Sequence, residues 1–205
     1  MQDAPIAVKI ALLGNSGVGK TSIILRYTSN TFSPGLMSTT GASYSNKIVH
    51  LNDTILQLDL WDTAGQEKYR SLGRNFYRDA YIIIFVYDIT RKESLEGLKE
   101  IWYPDLKKFG EKYNILAVVG NKSDLYEKEE VNEDEARAFA NEIQAEFDTV
   151  SAKNGDNIDN LFGKLINKYY EPIFQTKVLE STSKKGKTSK INNSKNKEKK
   201  KKKCC

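Results

Sequence analysis

Cysteine is almost missing from this chain. Its 205 residues hold two, Cys204 and Cys205, and both stand at the end. The body of the chain therefore has no disulfide and no cysteine metal site, which fits the reducing cytosol. Long hydrophobic runs are lacking as well. The longest, Tyr81–Tyr87, falls far short of the ~20 apolar residues that cross a bilayer. The opening Met-Gln-Asp-Ala-Pro has no basic stretch and no apolar segment behind it, so no secretory leader is expected. Histidine occurs once, as His50, expected on an exposed hairpin and without a role. Net positive charge is confined to the tail. Residues 174–205 carry 12 lysines against two glutamates, so the chain's net charge of +5 leaves residues 1–173 at −5. An acidic body with a basic tail argues against nucleic-acid binding across the folded surface. The tail has no aromatic side chains among its lysines on which bases could stack.

What remains is one domain of ordinary globular composition, expected over residues 1–173, followed by a tail. Strand and helix signals alternate. Strands are expected at Lys9–Leu13, Ala42–Leu51, Thr54–Trp61, Tyr81–Tyr87, Ile115–Val119 and Phe147–Val150. Helices are expected at Lys20–Ser29, roughly Lys92–Phe109, 133–145 and Ile158–Phe174. In the third of these Ala136, Phe139, Ala140 and Ile143 share one face. Asn52-Asp53 reads as a tight turn joining two antiparallel strands. The continuous apolar run at Tyr81–Tyr87 suits a sheet covered on both faces. This alternation implies an α/β fold of three layers: a mostly parallel sheet, one antiparallel edge strand, and helices on both faces. Ligands then bind at the carboxyl ends of the strands. After Thr176 the chain is rich in Ser, Lys and Asn and poor in apolar residues, so it is expected to be disordered.

Three motifs fall at those strand ends. Gly14-Asn15-Ser16-Gly17-Val18-Gly19-Lys20-Thr21 has the spacing of a phosphate-binding loop. The N–H groups of residues 16–22 (Ser16, Gly17, Val18, Gly19, Lys20, Thr21, Ser22) can cradle phosphate oxygens at a helix N-terminus. Lys20 can reach the β- and γ-phosphates, and the Thr21 hydroxyl can bind Mg²⁺. Asn121-Lys122-Ser123-Asp124 suits guanine. An Asp124 carboxylate accepts from the N1–H and N2 amine together, a pair adenine does not offer, and a site built around such a group rejects ligands that leave it unpaired. Asn121 can hold N7 and brace neighbouring loops, and the Lys122 stem can cover the base. In Ser151-Ala152-Lys153 the Ala152 N–H can reach guanine O6, and Lys153 can cover the base. Finally, Asp62-Thr63-Ala64-Gly65-Gln66 follows an apolar strand. Asp62 can hold Mg²⁺ through water, Gly65 lets an N–H approach a γ-phosphate without a Cβ in the way, and Gln66 can orient an attacking water. A second metal hydroxyl must come from the loop at 30–41, where spacing leaves Ser38, Thr39 and Thr40 open.

Together these motifs resemble the Ras-like small GTPases, and within them the Rab family, over about residues 6–173. The resemblance implies a P-loop G domain that binds GTP or GDP with Mg²⁺ and hydrolyses GTP slowly. It favours Thr39 as the second hydroxyl and places Phe32 near the guanine. It makes Gln66, Lys20 and Gly65 the catalytic group. Tyr44, Trp61 and Phe76 become an aromatic triad facing effectors, and Cys204 and Cys205 become prenylation sites. Switch loops are implied at about Phe32–Gly41 and Ala64–Phe76. The implied partners are an exchange factor, a GTPase-activating protein, effectors at the switch loops, and prenylation and membrane-extraction chaperones. The implied setting is a monomer on the cytoplasmic face of an endomembrane or the plasma membrane, held at an anionic surface, with a cytosolic pool. Some residues depart from the Rab pattern. Tyr44 stands where Phe is usual and Thr40 where Ile or Val is, and Trp102-Tyr103-Pro104-Asp105 looks more like Rho proteins. A Rho- or Ras-like signalling GTPase, and a GTP-binding scaffold without hydrolysis, are the alternatives.

Overall fold

The computed structural model describes residues 4–36, 39, 43–63, 77–110 and 115–175. The chain divides into two units, Met1–Leu165 and Ile166–Cys205. In the first, six strands form one sheet: β1 (Ile6–Leu13), β2 (Ser43–Leu51), β3 (Thr54–Asp62), β4 (Ile82–Asp88), β5 (Ile115–Asn121) and β6 (Glu146–Val150). Their order is β2-β3-β1-β4-β5-β6. Only the β2–β3 pair is antiparallel. Asn52 turns between those strands with a left-handed backbone, φ +50°, a conformation asparagine tolerates well. His50 lies exposed on β2.

Burial along the strands follows their place in the sheet. Every residue of β4 and β5 is buried, as a parallel strand covered on both faces requires. The edge strand β2 alternates between exposed and half-buried positions. Successive side chains on a strand point to opposite faces, so β1 serves two cores. Ala11 and Leu13 join a cluster with Ile83, Phe85 and Tyr87. Ile10 and Leu12, on the other face, are equally inaccessible.

The first cluster is covered by two helices. Helix α2 runs through three consecutive segments, Lys92–Gly97, a π turn at Leu98–Trp102, and Tyr103–Phe109. It contributes Leu95, Leu98, Trp102 and Leu106. Helix α3 (Glu133–Glu142) brings Ala136, Phe139 and Ala140, with Ile143 just past its end. The expected helix at 133–145 thus ends earlier, because the chain turns at Gln144 with φ +56°. On the opposite face lie α1 (Lys20–Ser29) and the helical residues 158–165. Tyr27 of α1 stacks flat on Phe162, ring centroids 3.8 Å apart. In the second unit residues 166–175 are helical, and Tyr170 and Phe174 pair along them at 5.9 Å. The expected tail, with Cys204 and Cys205, lies outside the described residues.

The parallel strands all run the same way, so β1, β3, β4, β5 and β6 end at one rim. Gly14, Asp62, Asp88, Asn121 and Ser151 stand there.

Candidate functional site

One cavity of about 440 Å³ opens at this rim. The phosphate loop lines it with Ser16, Gly17, Gly19, Lys20, Thr21 and Ser22. Phe32 and Thr39 come from the loop after α1, Asn121, Lys122 and Asp124 from the end of β5, and Ala152 and Lys153 from the end of β6. Residues more than a hundred positions apart thus converge on one space. Three expected residues stand behind the wall: Val18, Asp62 and Ser151, all buried. Gly65, Gln66 and Phe76 lie outside the described residues. The sequence reading missed Ser33, Pro34, Gly35, Leu36 and Leu125, which also line the cavity. The first four continue the loop that begins at Phe32, and that continuity was the available signal.

The phosphate loop has a backbone that suits glycine where it must. Gly17 and Gly19 take φ +76° and +96°, and a Cβ on Gly19 would lie 2.2 Å from Asn121 Nδ2. Lys20 is buried and donates to the carbonyls of Gly14 (2.8 Å) and Asn15 (3.1 Å). Burial lowers its pKa to about 8, partly opposed by the nearby Asp62 carboxylate.

Asp62 anchors a knot of hydroxyls. Its Oδ2 accepts from Thr21 Oγ1 at 2.6 Å, Thr39 Oγ1 at 3.3 Å and Ser43 Oγ at 3.5 Å, and the two threonine hydroxyls lie 2.9 Å apart. Its Oδ1 is buried and has no hydrogen-bond partner among the described residues. Burial raises the carboxyl's pKa against the pull of those hydrogen bonds. An orphaned, desolvated carboxylate oxygen beside two hydroxyls suits a hard cation that takes its remaining ligands from water and phosphate. Of the three hydroxyls left open by spacing, Thr39 is the one seen at Asp62; Ser38 and Thr40 lie outside the described residues. No group of three or more His, Cys, Asp or Glu among the described residues could form a protein-only metal cage.

At the other end, Asn121 ties two loops together. Its Nδ2 donates to Val18 O at 2.8 Å and its Oδ1 accepts from Ala152 N–H at 3.1 Å. A guanine O6 at Ala152 would share that N–H. Ser151 Oγ donates to Asp124 Oδ1 at 2.7 Å, and Lys153 Nζ lies 3.5 Å from Oδ2. Lys122 adopts a left-handed backbone (φ +71°, ψ +34°), and its Nζ stands 2.5 Å from Asp88 Oδ2. Burial alone would raise the Asp88 carboxyl, but Lys122 and Thr90 outweigh it and hold the pKa below its usual value. Arg26 of α1 braces the same region, its Nε and Nη2 donating to the carbonyls of Ala152 (2.9 Å) and Lys153 (2.6 Å).

On the antiparallel edge, Tyr44 and Trp61 face each other across β2 and β3. Their rings meet edge-on at 5.4 Å, and Lys9 Nζ sits 5.1 Å from the centre of the Trp61 ring. Tyr44 is exposed, its hydroxyl donating to Asp59 Oδ1 at 2.7 Å.

A family model described as Ras family matches residues 9–171. The chain belongs to the Ras family. Among its relatives it is 37% identical to human Ras-related protein Rab-30 over 183 residues, 89% of this chain and 90% of that protein. It is 41% identical to human Ras-related protein Rab-22A over 155 residues, 76% and 79% of the two chains. It is 39% identical to Ras-related protein Rab-11B of Dictyostelium discoideum over 175 residues, 83% and 77%. Within the family, then, this is a Rab-type GTPase, a hydrolase that binds guanine nucleotide. The described helices of this GTPase include none long and apolar enough to cross a membrane.

Proposed function

We propose that this Rab-type GTPase is a membrane-attached switch in vesicle trafficking, with GTP or GDP held in the 440 Å³ cavity at the strand rim. The observation that carries this reading is the convergence there of the phosphate loop, Thr39, the Asn121–Asp124 segment and Ala152. Lys20 holds the β- and γ-phosphate oxygens together with the N–H groups of residues 16–22. Asp124 accepts from guanine N1–H and N2, held in place by Ser151, while Lys122 and Lys153 cover the base. Phe32 packs beside it.

Thr21 and Thr39, with Asp62 through water, would hold a Mg²⁺, which neutralises charge on the β- and γ-phosphate oxygens when bound. Gln66 orients a water for in-line attack on the γ-phosphate. The Gly65 N–H receives the developing charge, and the products are GDP and phosphate. Unaided turnover is slow, on the order of 10⁻⁴ to 10⁻³ s⁻¹ by analogy with Ras-type enzymes. An activating protein would supply an arginine, and an exchange factor would reload the site. With GTP bound, the loops around Thr39 and Gln66 order and present Tyr44, Trp61 and Phe76 to effectors. Prenyl groups on Cys204 and Cys205, beside Lys199–Lys203, hold the cytoplasmic face of an anionic membrane. Prenylation and extraction chaperones maintain a cytosolic pool.

Competition binding with GTP, ATP and XTP tests the site. The native chain should prefer GTP, and Asp124→Asn should move that preference toward XTP, whose C2 oxygen needs a donor. Equal affinity of the native chain for ATP and GTP would refute guanine recognition.

A further inference from the structure

The segment that resembles Rho proteins, Trp102-Tyr103-Pro104-Asp105, has no part in the function proposed so far. In the structure its first residue reaches the phosphate loop. Trp102 is almost fully buried, and its indole N–H meets Asn15 Oδ1 at 2.8 Å. An indole N–H can only donate, so the oxygen of the Asn15 amide must face it. The Nδ2 end then points to Glu93 O, 3.4 Å away. Gly97 lies under the same amide. A Cβ there would come within 2.6 Å of Oδ1 and 2.7 Å of Nδ2. Arg91 closes the neighbouring residue, its Nη2 donating to Ser16 O at 3.1 Å.

The helix geometry explains how Trp102 arrives there. At Leu98–Trp102 the helix widens into a π turn, with the Tyr103 N–H donating to Leu98 O. Such a turn inserts a residue and re-aims the side chains around it. Pro104 follows two residues later. It has no N–H, and in a regular α-helix its ring would crowd the Glu100 carbonyl. The widened turn makes room for that ring and turns the indole toward Asn15.

We infer that Trp102 is a positioning residue for the phosphate loop: acting through Asn15, it holds the loop backbone in the form that grips phosphate and so slows nucleotide release. The inference rests on the nucleotide site proposed above. Lys20 donates to the carbonyls of Gly14 and Asn15, so a shift of Asn15 would displace the ammonium that reaches the phosphates. Helix α2 thereby becomes a lever on the site, worked from a face that touches no nucleotide.

The test follows release of a fluorescent GDP analogue from the full chain, chased with excess GDP, in Trp102→Phe, Asn15→Ala and the double variant. Each single change should speed release roughly fivefold, the factor that one net hydrogen bond is worth. The double variant should release no faster than the faster single one, because both changes break the same bond. An unmoved rate in Trp102→Phe, or effects that multiply in the double variant, would overturn the inference. A native chain that binds no GDP would overturn the nucleotide site and this inference together, whereas normal binding with unmoved release overturns this inference alone. Should Trp102→Phe fail to fold, the native chain still decides. Its Trp102 indole N–H, assigned against Trp61→Phe, should exchange with solvent several-fold more slowly with GDP than in stripped protein; equal exchange would overturn the inference.

Discussion

Truncating Asn121 to alanine should loosen two loops at once. Its amide is the only group placed to satisfy both Val18 O and the Ala152 N–H among the described hydrogen bonds, and all three residues are buried. A buried donor or acceptor left unpaired costs about 1–3 kcal/mol. Two such groups give about 2–6 kcal/mol, and a water entering the vacated polar space would recover part, leaving about 2–4 kcal/mol. For a chain of this size that lowers the melting midpoint by roughly 5–15 °C. Thermal unfolding of nucleotide-stripped protein reads this structural part. The rise in midpoint on adding GDP reads the binding part, since a ligand of the native state stabilises by mass action. Asn121→Ala should show both a lower stripped midpoint and a smaller rise. Asn121→Asp keeps an acceptor for Ala152 but sets a carboxylate against Val18 O, so it should lose at least as much. A stripped midpoint in Asn121→Ala within 2 °C of the parent, roughly half a kcal/mol, would refute the bracing role.

Gln66→Leu should keep nucleotide affinity and slow phosphate release in single-turnover assays; an unchanged rate would show that Gln66 does not place the water. Between about pH 8 and 10.5 the unfolded chain holds a proton on Lys20 that the folded chain has released. Stability of the stripped protein should therefore rise across that window, by on the order of 3 kcal/mol. Bound GDP, by favouring the ammonium, should flatten this dependence, and Lys20→Met should remove it; denaturant unfolding at pH 8, 9 and 10 would detect both. Cys204→Ser with Cys205→Ser should leave a cytosolic protein that still binds GTP, and its retention in the membrane pellet on cell fractionation would rule out the lipid anchor.

The parts of this site legible in the sequence are those whose chemistry is local. The phosphate loop, the Asn121–Asp124 segment and the hairpin at Asn52 each occupy a few consecutive residues whose types dictate a backbone or a donor pattern. The strands were legible for the same reason, and their bounds shifted by one to three residues. Asp62 and Thr21 could be named as candidate ligands from the residues, and Thr39 only through the family resemblance, but their meeting at one carboxylate oxygen depends on β1 pairing with β3. The braces were not legible. Arg26 reaches Ala152, Arg91 reaches Ser16, and Trp102 reaches Asn15. Each joins residues 75 to 126 positions apart, and no periodicity encodes such a contact. Pro104 was a local hint of the π turn, since an interior proline disturbs a helix, yet it gave no sign of where the indole would point.

Lys122 sets two demands on one residue against each other. Its left-handed backbone costs a side-chain-bearing residue roughly 1–2 kcal/mol, a cost glycine would not bear. Its ammonium in return pairs with the buried Asp88 carboxylate, which Arg91 and Thr90 also hold. In Lys122→Gly the relief of backbone strain is set against a buried carboxylate short of one partner, so thermal tolerance should fall or stay level, and nucleotide retention should fall. Strain kept at this rim is what the proposed contact of Lys122 with the base would account for. Engineering a sturdier form of this GTPase should leave position 122 alone and look to the hairpin and helix surfaces away from the rim.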